Sequence, residues 1–553
     1  MSKYLKLFLV GLIALAASVG VAACGDDDDD GGGGTSGGGG GEIKIGTVGP
    51  DNADPVMYQT LQAYQMFQLA YTALITYAHE PGDAGGKLVP GLAEEVPEPT
   101  NDGKTYKFQL RDGLTYSDGT PVKASDFENT MKRMLLLGSP WTSFFSPIIA
   151  GTEEFSKNPS MDGDISGIET NDKTGEITVN LSEPDTKILY ALAETYAAPT
   201  PAAKSPGKSL KQPPPGVGPY VLDITDFQHE FVLTKNENFP DLPDVPAAKF
   251  DKITGVVSSN ITKLTQDVID GKLDFMTEDP TGDQLPEVRE KYADRFSEDT
   301  NPPNVYYNFL NVTMPPFDKQ EAREAFNYAI DSRALIRIFG GRLSPGCNFL
   351  PPEGVVGYEE NDCKYGDPDG PPDIEKAKEL VKQSGYEGEH VVYWTNDKDP
   401  RPAIADYMVD VLNQIGFDAE SKQLDQQVYF SKIGTKSFQA QTGFTDWFMD
   451  YPHPGDFLDT LLSTEATKSP VTFNQGFVSD PAYDQKLDEL RPEDPEDVAD
   501  KWHELDDYVI NQKAYVVPYG TEESTSFFSE RMDPECNGVH PVYKNDWNLF
   551  CLK

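Results

Sequence analysis

Residues Thr105–Leu137 read TYKFQLRDGLTYSDGTPVKASDFENTMKRMLLL and predict a strand, two tight turns and a helix. Apolar and polar side chains alternate over 105–110, which is the period of a strand with one buried face. Two Asp-Gly pairs then predict the turns. Ser125 and Glu128 have the spacing of a capping box that opens a helix. The helix face predicted to be buried comprises Phe127, Met131, Met134 and Leu135.

A second unit is predicted further along the chain. Val391–Trp394 and Phe417–Leu424 have the character of strands. Between them, Arg401–Ile415 places apolar residues on one helical face, and Gly416 ends the pattern. A helix that joins two consecutive strands in this way favours a parallel strand pair.

Three further segments, taken with Thr105–Leu137, carry a resemblance to a known family. They are Gly216–Tyr220 (GVGPY), Ala322–Ile336 (AREAFNYAIDSRALI) and Thr445–Leu462 (TDWFMDYPHPGDFLDTLL). In this order, the four segments resemble the motifs of family 5 of the bacterial extracellular solute-binding proteins, the peptide/nickel-type proteins. The resemblance extends over most of residues 42–520.

The resemblance implies an α/β architecture: a two-lobed, periplasmic-binding-protein-like fold of type II, with an extra α+β domain inserted in the first lobe. We expect lobe I to comprise residues 42–82, 213–303 and 516–553. The inserted domain would comprise residues 83–212, and lobe II residues 304–515. The two chain crossings between the lobes are expected near Pro302–Asn304 and Tyr515–Pro518.

The same resemblance implies the function of an ABC importer's substrate-binding component. A ligand would lie between the lobes, and hinge closure would enclose it. The closed form would deliver the ligand to membrane permease subunits with their ATPase, and the protein would act as a monomer without a cofactor. Di- or oligopeptides are the expected ligands. Nickel chelates, opines, oligosaccharides and sugar-phosphate-like solutes stay open as alternatives, as does a sensory lipoprotein with this fold.

Thr445–Leu462 contains the principal candidate site. Asp450 lies among aromatic residues on a loop stiffened by prolines and a glycine, which suits a ligand ammonium group, although such a loop also packs on its own domain. By resemblance, Asp450 corresponds to the acid that holds a peptide's α-ammonium, and Trp447 and Tyr451 would wall that subsite. Asn308 matches a cleft position that is acidic in an oligopeptide-binding relative, so the contact made there stays open. The remaining candidates from matched cleft segments are Trp141, Leu61, Gln62 and Tyr519.

The N-terminus predicts export. A basic start and an apolar run to Ala23 are typical of a secretory signal, and Val-Ala-Ala-Cys resembles a lipobox that would lipidate Cys24. Residues 1–23 are therefore expected to be a lipoprotein signal peptide. Residues 24–41 are expected to be an Asp- and Gly-rich tether that holds the protein at the outer face of the cell membrane.

The remaining cysteines agree with an oxidising compartment. Cys347 and Cys363 form one close pair in sequence, and Cys536 and Cys551 form another. Two local disulfides, Cys347–Cys363 and Cys536–Cys551, are the natural choice among three possible pairings. The spacing of the cysteines and histidines does not match a metal site.

Charge and motif content argue against other classes of function. A formal net charge of −45 disfavours binding to nucleic acid or to anionic lipid. The sequence contains no G-x-S-x-G, P-loop, H-E-x-x-H or G-x-G-x-x-G motif. Ser205–Lys208 formally fits S-x-x-K but lies in a Pro/Gly-rich segment rather than at the start of a helix. We therefore expect a protein that is not an enzyme.

Overall fold

The computed structural model describes residues 40–553, apart from 147, 203–205, 227, 300–302 and 353. The predicted signal peptide, Cys24 and nearly all of the predicted tether lie outside this range. The strands are β1 (Glu42–Thr47), β2 (Ile75–Tyr77), β3 (Leu88–Pro90), β4 (Thr105–Gln109), β5 (Ile168–Asn171), β6 (Glu176–Asn180), β7 (Tyr220–Asp226), β8 (Glu230–Lys235), β9 (Lys252–Val257), β10 (Phe275–Met276), β11 (Phe296–Asp299), β12 (Asn304–Leu310), β13 (Leu343–Pro345), β14 (His390–Asn396), β15 (Asp418–Leu424), β16 (Thr442–Phe448), β17 (Val516–Glu522), β18 (Ser524–Phe527), β19 (Val539–His540) and β20 (Lys544–Asn545).

The α-helices are α1 (Leu61–Phe67), α2 (Ala124–Leu137), α3 (Thr152–Ser156), α4 (Ile188–Ala193), α5 (Ile261–Ile269), α6 (Leu285–Lys291), α7 (Gln320–Tyr328), α8 (Ser332–Ile338), α9 (Ile374–Ser384), α10 (Arg401–Ile415), α11 (Gln426–Ile433), α12 (Leu458–Leu462), α13 (Pro481–Leu490) and α14 (Ala499–Asp507). Among the described residues, no helix combines the length and apolar character needed to cross a membrane.

The first large sheet has five strands in the order β10-β1-β9-β8-β7. Strand β1 runs parallel to β9 and β10, and its alternating side chains Ile43 and Ile45 are fully buried. Helix α5 packs closely on this sheet, because a Cβ atom at Gly46 would lie 2.7 Å from Leu273 and 2.9 Å from Leu264. Gly46 therefore permits the close approach that seals this part of the core.

The second large sheet has six strands in the order β13-β17-β12-β16-β14-β15. Strands β14 and β15 are parallel and joined through α10, which confirms the predicted β–α–β unit. Helix α10 buries Ile404, Met408 and Leu412 against the sheet. It ends at Gly416, whose φ of 113° is a left-handed conformation that favours glycine.

The predicted α+β unit near residue 105 is present as β4 and α2, and β4 pairs with β6 in a three-stranded sheet. The capping interaction differs from the prediction. The carboxylate of Asp126 accepts a hydrogen bond of 2.9 Å from the backbone N–H of Lys123, so Asp126 is the acid of the capping box. Glu128 instead pairs with Lys132 at 2.7 Å, and Ser125 bonds to Asp172. The helix begins at Ala124, and this start places Asp126 at the reciprocal position.

Strand pairing also bears on the second predicted crossing. The predicted lobe I segment begins at residue 516, but β17 pairs with β12 and β13 within the second sheet. The chain leaves that sheet only at Glu523, and β18 then pairs with β11. The backbone hydrogen bonds of β17 therefore place residues 516–522 with the second sheet, and a crossing near Tyr515–Pro518 stays a prediction. The first crossing, expected near Pro302–Asn304, also stays a prediction.

Both predicted disulfides are formed. Cys347 bonds to Cys363 and Cys536 bonds to Cys551, which selects one of the three pairings that the sequence allowed. The second bridge fixes the C-terminal segment, where the backbone of Asp533 also bonds to Cys551.

Replacing Cys536 and Cys551 with serine should lower the free energy of unfolding by about 2–4 kcal/mol, because the loop closed by the bridge is then free in the unfolded chain. That loop spans 15 residues. Denaturant unfolding without reductant measures the difference, and the Cys347→Ser/Cys363→Ser variant should lose a similar amount. Equal unfolding midpoints for wild type and variants would contradict a stabilising role.

Candidate ligand-binding site

A cavity lies between the first and second large sheets. It holds about 870 Å³ of space free of protein atoms, part of it open to solvent. Leu61, Gln62 and Trp141 line it from the N-terminal part of the chain, and Arg401, Trp447 and Asp450 line it from the second-sheet part.

Five of the eight predicted ligand-binding residues line this cavity, and three do not. The five are Asp450, Trp447, Trp141, Leu61 and Gln62. The other three, Tyr451, Asn308 and Tyr519, are almost completely buried and lie elsewhere. A role for the five in ligand binding is taken up below as a proposal.

Asp450 lies just beyond the end of β16. Its backbone N–H donates a 2.8 Å hydrogen bond to Oδ2 of Asp456, because the chain folds back through Pro452 and Pro454. The carboxylate atom Oδ2 of Asp450 is buried and has no hydrogen-bond partner within the described residues. Burial raises the pKa of Asp450 to about 8. The loop therefore presents an acid that lacks a cationic partner of its own.

Aromatic rings form the wall beside Asp450. The ring of Phe473 lies 4.9 Å from that of Trp447 and 4.9 Å from that of Trp141. Trp141 stacks on Tyr196 at 4.9 Å, and its indole Nε1 donates a 2.6 Å hydrogen bond to the carbonyl of Tyr58. These interlocked rings fix the wall in one arrangement, and their faces favour a nearby cation.

Tyr451, which was expected to wall the subsite of Asp450, does not line this cavity. Its ring is fully buried and packs against Phe144 at 5.7 Å and Tyr190 at 5.8 Å. Tyr451 therefore joins the loop to the inserted α+β part of the chain. The prolines after β16 end the alternation of side-chain directions that a strand would have. The position of Tyr451 next to Asp450 in the sequence therefore does not determine which way its side chain points.

Asn308 and Tyr519 also do not reach the cavity. The Oδ1 atom of Asn308 accepts a 2.6 Å hydrogen bond from the Tyr393 hydroxyl and a second bond from the Tyr519 hydroxyl. Its amide faces Sδ of Met408 on α10 at 3.6 Å. These buried polar groups contact one another beneath α10. Their hydrogen bonds are therefore made within the protein and not to a ligand.

Charged residues that the sequence reasoning missed occupy another part of the lining. Glu278, which follows β10 of the first sheet, forms an ion pair with Lys398, which follows β14 of the second sheet. Burial alone would raise the pKa of Glu278, but Lys398 and Lys544 lower it. Gln62 donates a 2.9 Å hydrogen bond to the same carboxylate. The pair thus connects the two sheets directly, and nothing in the local sequence pattern signals this contact.

Arg401 is the second cationic group of the lining. Its guanidinium donates hydrogen bonds to the carboxylate of Asp446 and, at 2.7 Å, to the side-chain oxygen of Gln426. Glu278, Lys398 and Arg401 also line a neighbouring cavity of about 1,210 Å³, which contains two further arginines, Arg337 and Arg342. The space beside Asp450 therefore continues past the Glu278–Lys398 pair into a second compartment, which is lined by acids as well as by arginines.

In ligand-free protein, replacing Asp450 with asparagine should stabilise the fold increasingly as pH rises. The folded pKa of about 8 exceeds the usual value of 3.8, so the folded state holds a proton that the unfolded chain has lost, and stability falls with rising pH in that window. The side-chain amide of the variant would not titrate. We expect Asp450→Asn to gain at least about 1.4 kcal/mol over wild type between about pH 5 and pH 8, the equivalent of one pKa unit.

Denaturant unfolding at several pH values measures this gain. Asp410→Asn is a matched control, because Asp410 is an exposed residue of α10. Parallel pH profiles for wild type and Asp450→Asn would show that Asp450 is not protonated in the folded state.

The fold and cavity define the class of protein: a two-lobed α/β binding protein of the periplasmic-binding-protein type, with its cavity between the lobes. The family model for bacterial extracellular solute-binding proteins, family 5 (middle region), matches residues 87–469. This chain belongs to that family.

Relatives and solved structures agree with this membership. The chain is 25% identical over 456 residues to a glutathione-binding protein, GsiB, of Shigella flexneri serotype 5b, with 78% of this chain and 80% of the relative covered. The structure of the periplasmic binding protein DppA from Helicobacter pylori, in complex with the peptide STSA, superposes with a TM-score of 0.77 at 21% identity and covers 93% of this chain and 98% of that one. A dipeptide-binding protein from Pseudoalteromonas sp. SM9913, in complex with Met-Leu, gives a TM-score of 0.77 at 18% identity, with 93% and 100% covered.

Proposed function

We propose that this protein captures peptides in the inter-lobe cavity and delivers them to the permease of an ABC importer. The observation that carries the proposal is the unpartnered, buried carboxylate of Asp450 beside the rings of Trp447 and Trp141. A free α-ammonium group would supply the missing partner through a charge-assisted hydrogen bond, and the rings would exclude water around it. The relatives named for binding glutathione, STSA and Met-Leu support this ligand class.

The remaining polar lining suits the rest of a peptide. Lys398 and Arg401 offer positive charge for a carboxylate, although each already contacts an acid, Glu278 or Asp446. A peptide carboxylate would compete for these cations, and a longer peptide would extend past the Glu278–Lys398 pair into the second compartment. Nickel chelates and oligosaccharides lack an ammonium group that would neutralise Asp450, so the cavity favours peptides over these alternatives. Opines remain as ligands to be tested.

Closure about the two crossings would enclose the ligand. Contacts between residues on the two sides of the cavity, such as the Glu278–Lys398 pair and the packing of Phe473 on Trp141, exist only when the sides are together. A ligand that touches both sides adds to these contacts and shifts the population towards the closed form. We propose that the permease recognises this form.

We also propose that the protein is held at the cell membrane by a lipid. Lipidation of Cys24 would anchor the chain to the outer face of the cell membrane, and residues 24–41 would be the tether that lets a monomer reach the permease. Mass spectrometry of the mature N-terminus would identify the lipid.

Replacing Asp450 with alanine should weaken binding of Ser-Thr-Ser-Ala or Met-Leu at least about tenfold, because a hydrogen bond to a charged group contributes about 1.5–3 kcal/mol. Calorimetry with refolded, ligand-free protein measures the affinity, and glutathione and an opine complete the panel. N-acetylated Met-Leu should bind equally weakly to wild type and variant. Asp418→Ala is the control, and an affinity unchanged by Asp450→Ala would remove Asp450 from the site.

Solution scattering tests closure. Adding a peptide that binds should lower the radius of gyration of the wild-type protein, because the lobes come together. In Lys398→Ala, which lacks the ion pair to Glu278, the ligand-free protein should be more open and the decrease on binding larger. A radius of gyration that does not change on saturation with peptide would contradict capture by hinge closure.

A further inference from the structure

The loop that carries Asp450 packs on a distant part of the chain, the part predicted to be the inserted domain (residues 83–212), called the inserted part below. Lys187 of the inserted part forms an ion pair with Asp459, which lies in the first turn of α12 at the end of this loop. Both side chains of the pair are buried. The loop that presents the candidate ligand-binding acid is therefore held by residues outside the second sheet.

Two neighbouring contacts join the same surfaces. The backbone N–H of Thr186 donates a 3.1 Å hydrogen bond to the carbonyl of Arg491, and a 3.2 Å hydrogen bond joins the Thr186 hydroxyl to Nε2 of His453. The ring of Tyr190 stacks on that of Tyr451, with 5.8 Å between the ring centroids. These contacts and the ion pair together are called the loop contact below.

Each ion of the Lys187–Asp459 pair also has a counter-ion on its own side of the loop contact. The guanidinium of Arg491, which follows α13, donates hydrogen bonds of 2.9 and 2.8 Å to the two carboxylate oxygens of Asp459. The carboxylate of Asp185 lies 3.8 Å from Nζ of Lys187. If the two sides part, each ion keeps the partner from its own side, so neither charge is left without a counter-ion.

Another buried ion pair of the inserted part lacks this arrangement. Arg133 of α2 pairs with Asp54, which precedes α1 in the first-sheet part of the chain, and both side chains are buried. Among the described residues, neither of them forms a second ion pair. Parting them would leave each charge without a counter-ion, which is costly for buried charges. The Arg133–Asp54 pair therefore fixes the inserted part to the first-sheet part, whereas the loop contact can open without unpairing a charge.

The same arrangement recurs beside the second compartment of the cavity. Asp279, which follows β10, pairs at 3.2 Å with Arg342, which precedes β13 of the second sheet. On its own side, Asp279 has Lys544 at 3.7 Å. Arg342 has Glu522 of β17 at 2.6 Å. Two separate places where the sides of the cavity meet therefore use ions that keep a partner after separation, with the acid and the cation exchanged between the sides.

We infer that Lys187 is a positioning residue: in the closed form it holds the loop of Asp450 on the inserted part, and in the open form the loop is released while each ion keeps its own-side partner. The inference rests on the proposed function and adds the contact that couples closure to the site. The backbone N–H of Asp450 is bonded to Asp456 within the loop, so the position of the acid follows that of the loop. A bound peptide therefore stabilises the loop contact, and the loop contact stabilises the bound peptide by the same factor.

The test replaces Lys187 with methionine, which keeps much of the length of the side chain and removes its charge. With Met-Leu or Ser-Thr-Ser-Ala, whichever binds wild type more tightly, Lys187→Met should raise the dissociation rate at least about tenfold, because a hydrogen bond between charged groups is lost from the closed form. The association rate should change less than about threefold, because the loop contact forms after the ligand has entered. Stopped-flow kinetics measures both rates.

Matched variants and solution scattering complete the test. Ligand-free Lys187→Met should have a larger radius of gyration than wild type, because its closed form is less stable. Lys187→Arg should restore much of the wild-type dissociation rate. Lys157→Met, at an exposed lysine of the inserted part, should behave as wild type.

Denaturant unfolding separates positioning from a purely structural role. Arg133→Met leaves Asp54 buried without a counter-ion and should lower the unfolding midpoint more than Lys187→Met does. A larger fall for Lys187→Met, a wild-type dissociation rate or a wild-type radius of gyration in this variant would each overturn the inference and leave the proposed function intact. Failure of every peptide in the panel to bind wild type would instead contradict the proposed function.

Hydrogen exchange of the wild type decides the matter if Lys187→Met does not fold. The amide of Thr186 bonds to Arg491 across the loop contact, so the segment that contains it should exchange more slowly with saturating peptide than without it. The segment around Arg133, inside α2, should exchange equally in both states. Equal exchange of the Thr186 segment with and without peptide would overturn the inference.

Discussion

The burial of a negative charge without a positive partner is the constraint on which the site depends. An isolated carboxylate is stable in water, but inside a protein it must be protonated or paired. At Asp450 the aromatic rings remove water and the loop supplies no cation. Under the proposed function, the ammonium group of a ligand would supply this missing partner. Such a site would select ligands by their charge, because a cationic group offsets the free-energy cost of burying an unpaired carboxylate.

The surrounding structure holds the acid in this condition. The indole of Trp141 is fixed by its bond to the Tyr58 carbonyl, so the ring wall cannot turn aside to admit water. The loop after β16 is anchored at its far end by the pairing of Asp459 with Lys187 and Arg491. These well-satisfied contacts carry the stability of the region and allow Asp450 to stay unpaired. In this loop, Asp459 thus stabilises the fold, and Asp450 would be the acid that is available to a ligand.

The two sheets contribute different things to the cavity. The first sheet and the segments that follow it provide Glu278 and the ring of Trp141, while the second provides Lys398, Trp447 and Asp450. Because the second sheet includes β17, both β12 and β17 connect it to the crossings. Their hydrogen-bonded ladder, with β13 beside β17, keeps the chain in the second sheet up to Glu522.

The sequence alone determined the elements with local causes. Alternation of apolar and polar residues predicted β4, and helical periodicity predicted α10 and its end at Gly416. The ordered motifs predicted the family and indicated Asp450 as a candidate site residue. Only the tertiary structure decided which side chains face the cavity. Tyr451 lies next to Asp450 in sequence but packs on Phe144, and Asn308 bonds to Tyr393 and Tyr519 from distant strands. The sequence also gave no sign of the role of Lys398, because the effect of a charge depends on the neighbours that long-range packing brings to it and on the water that packing removes.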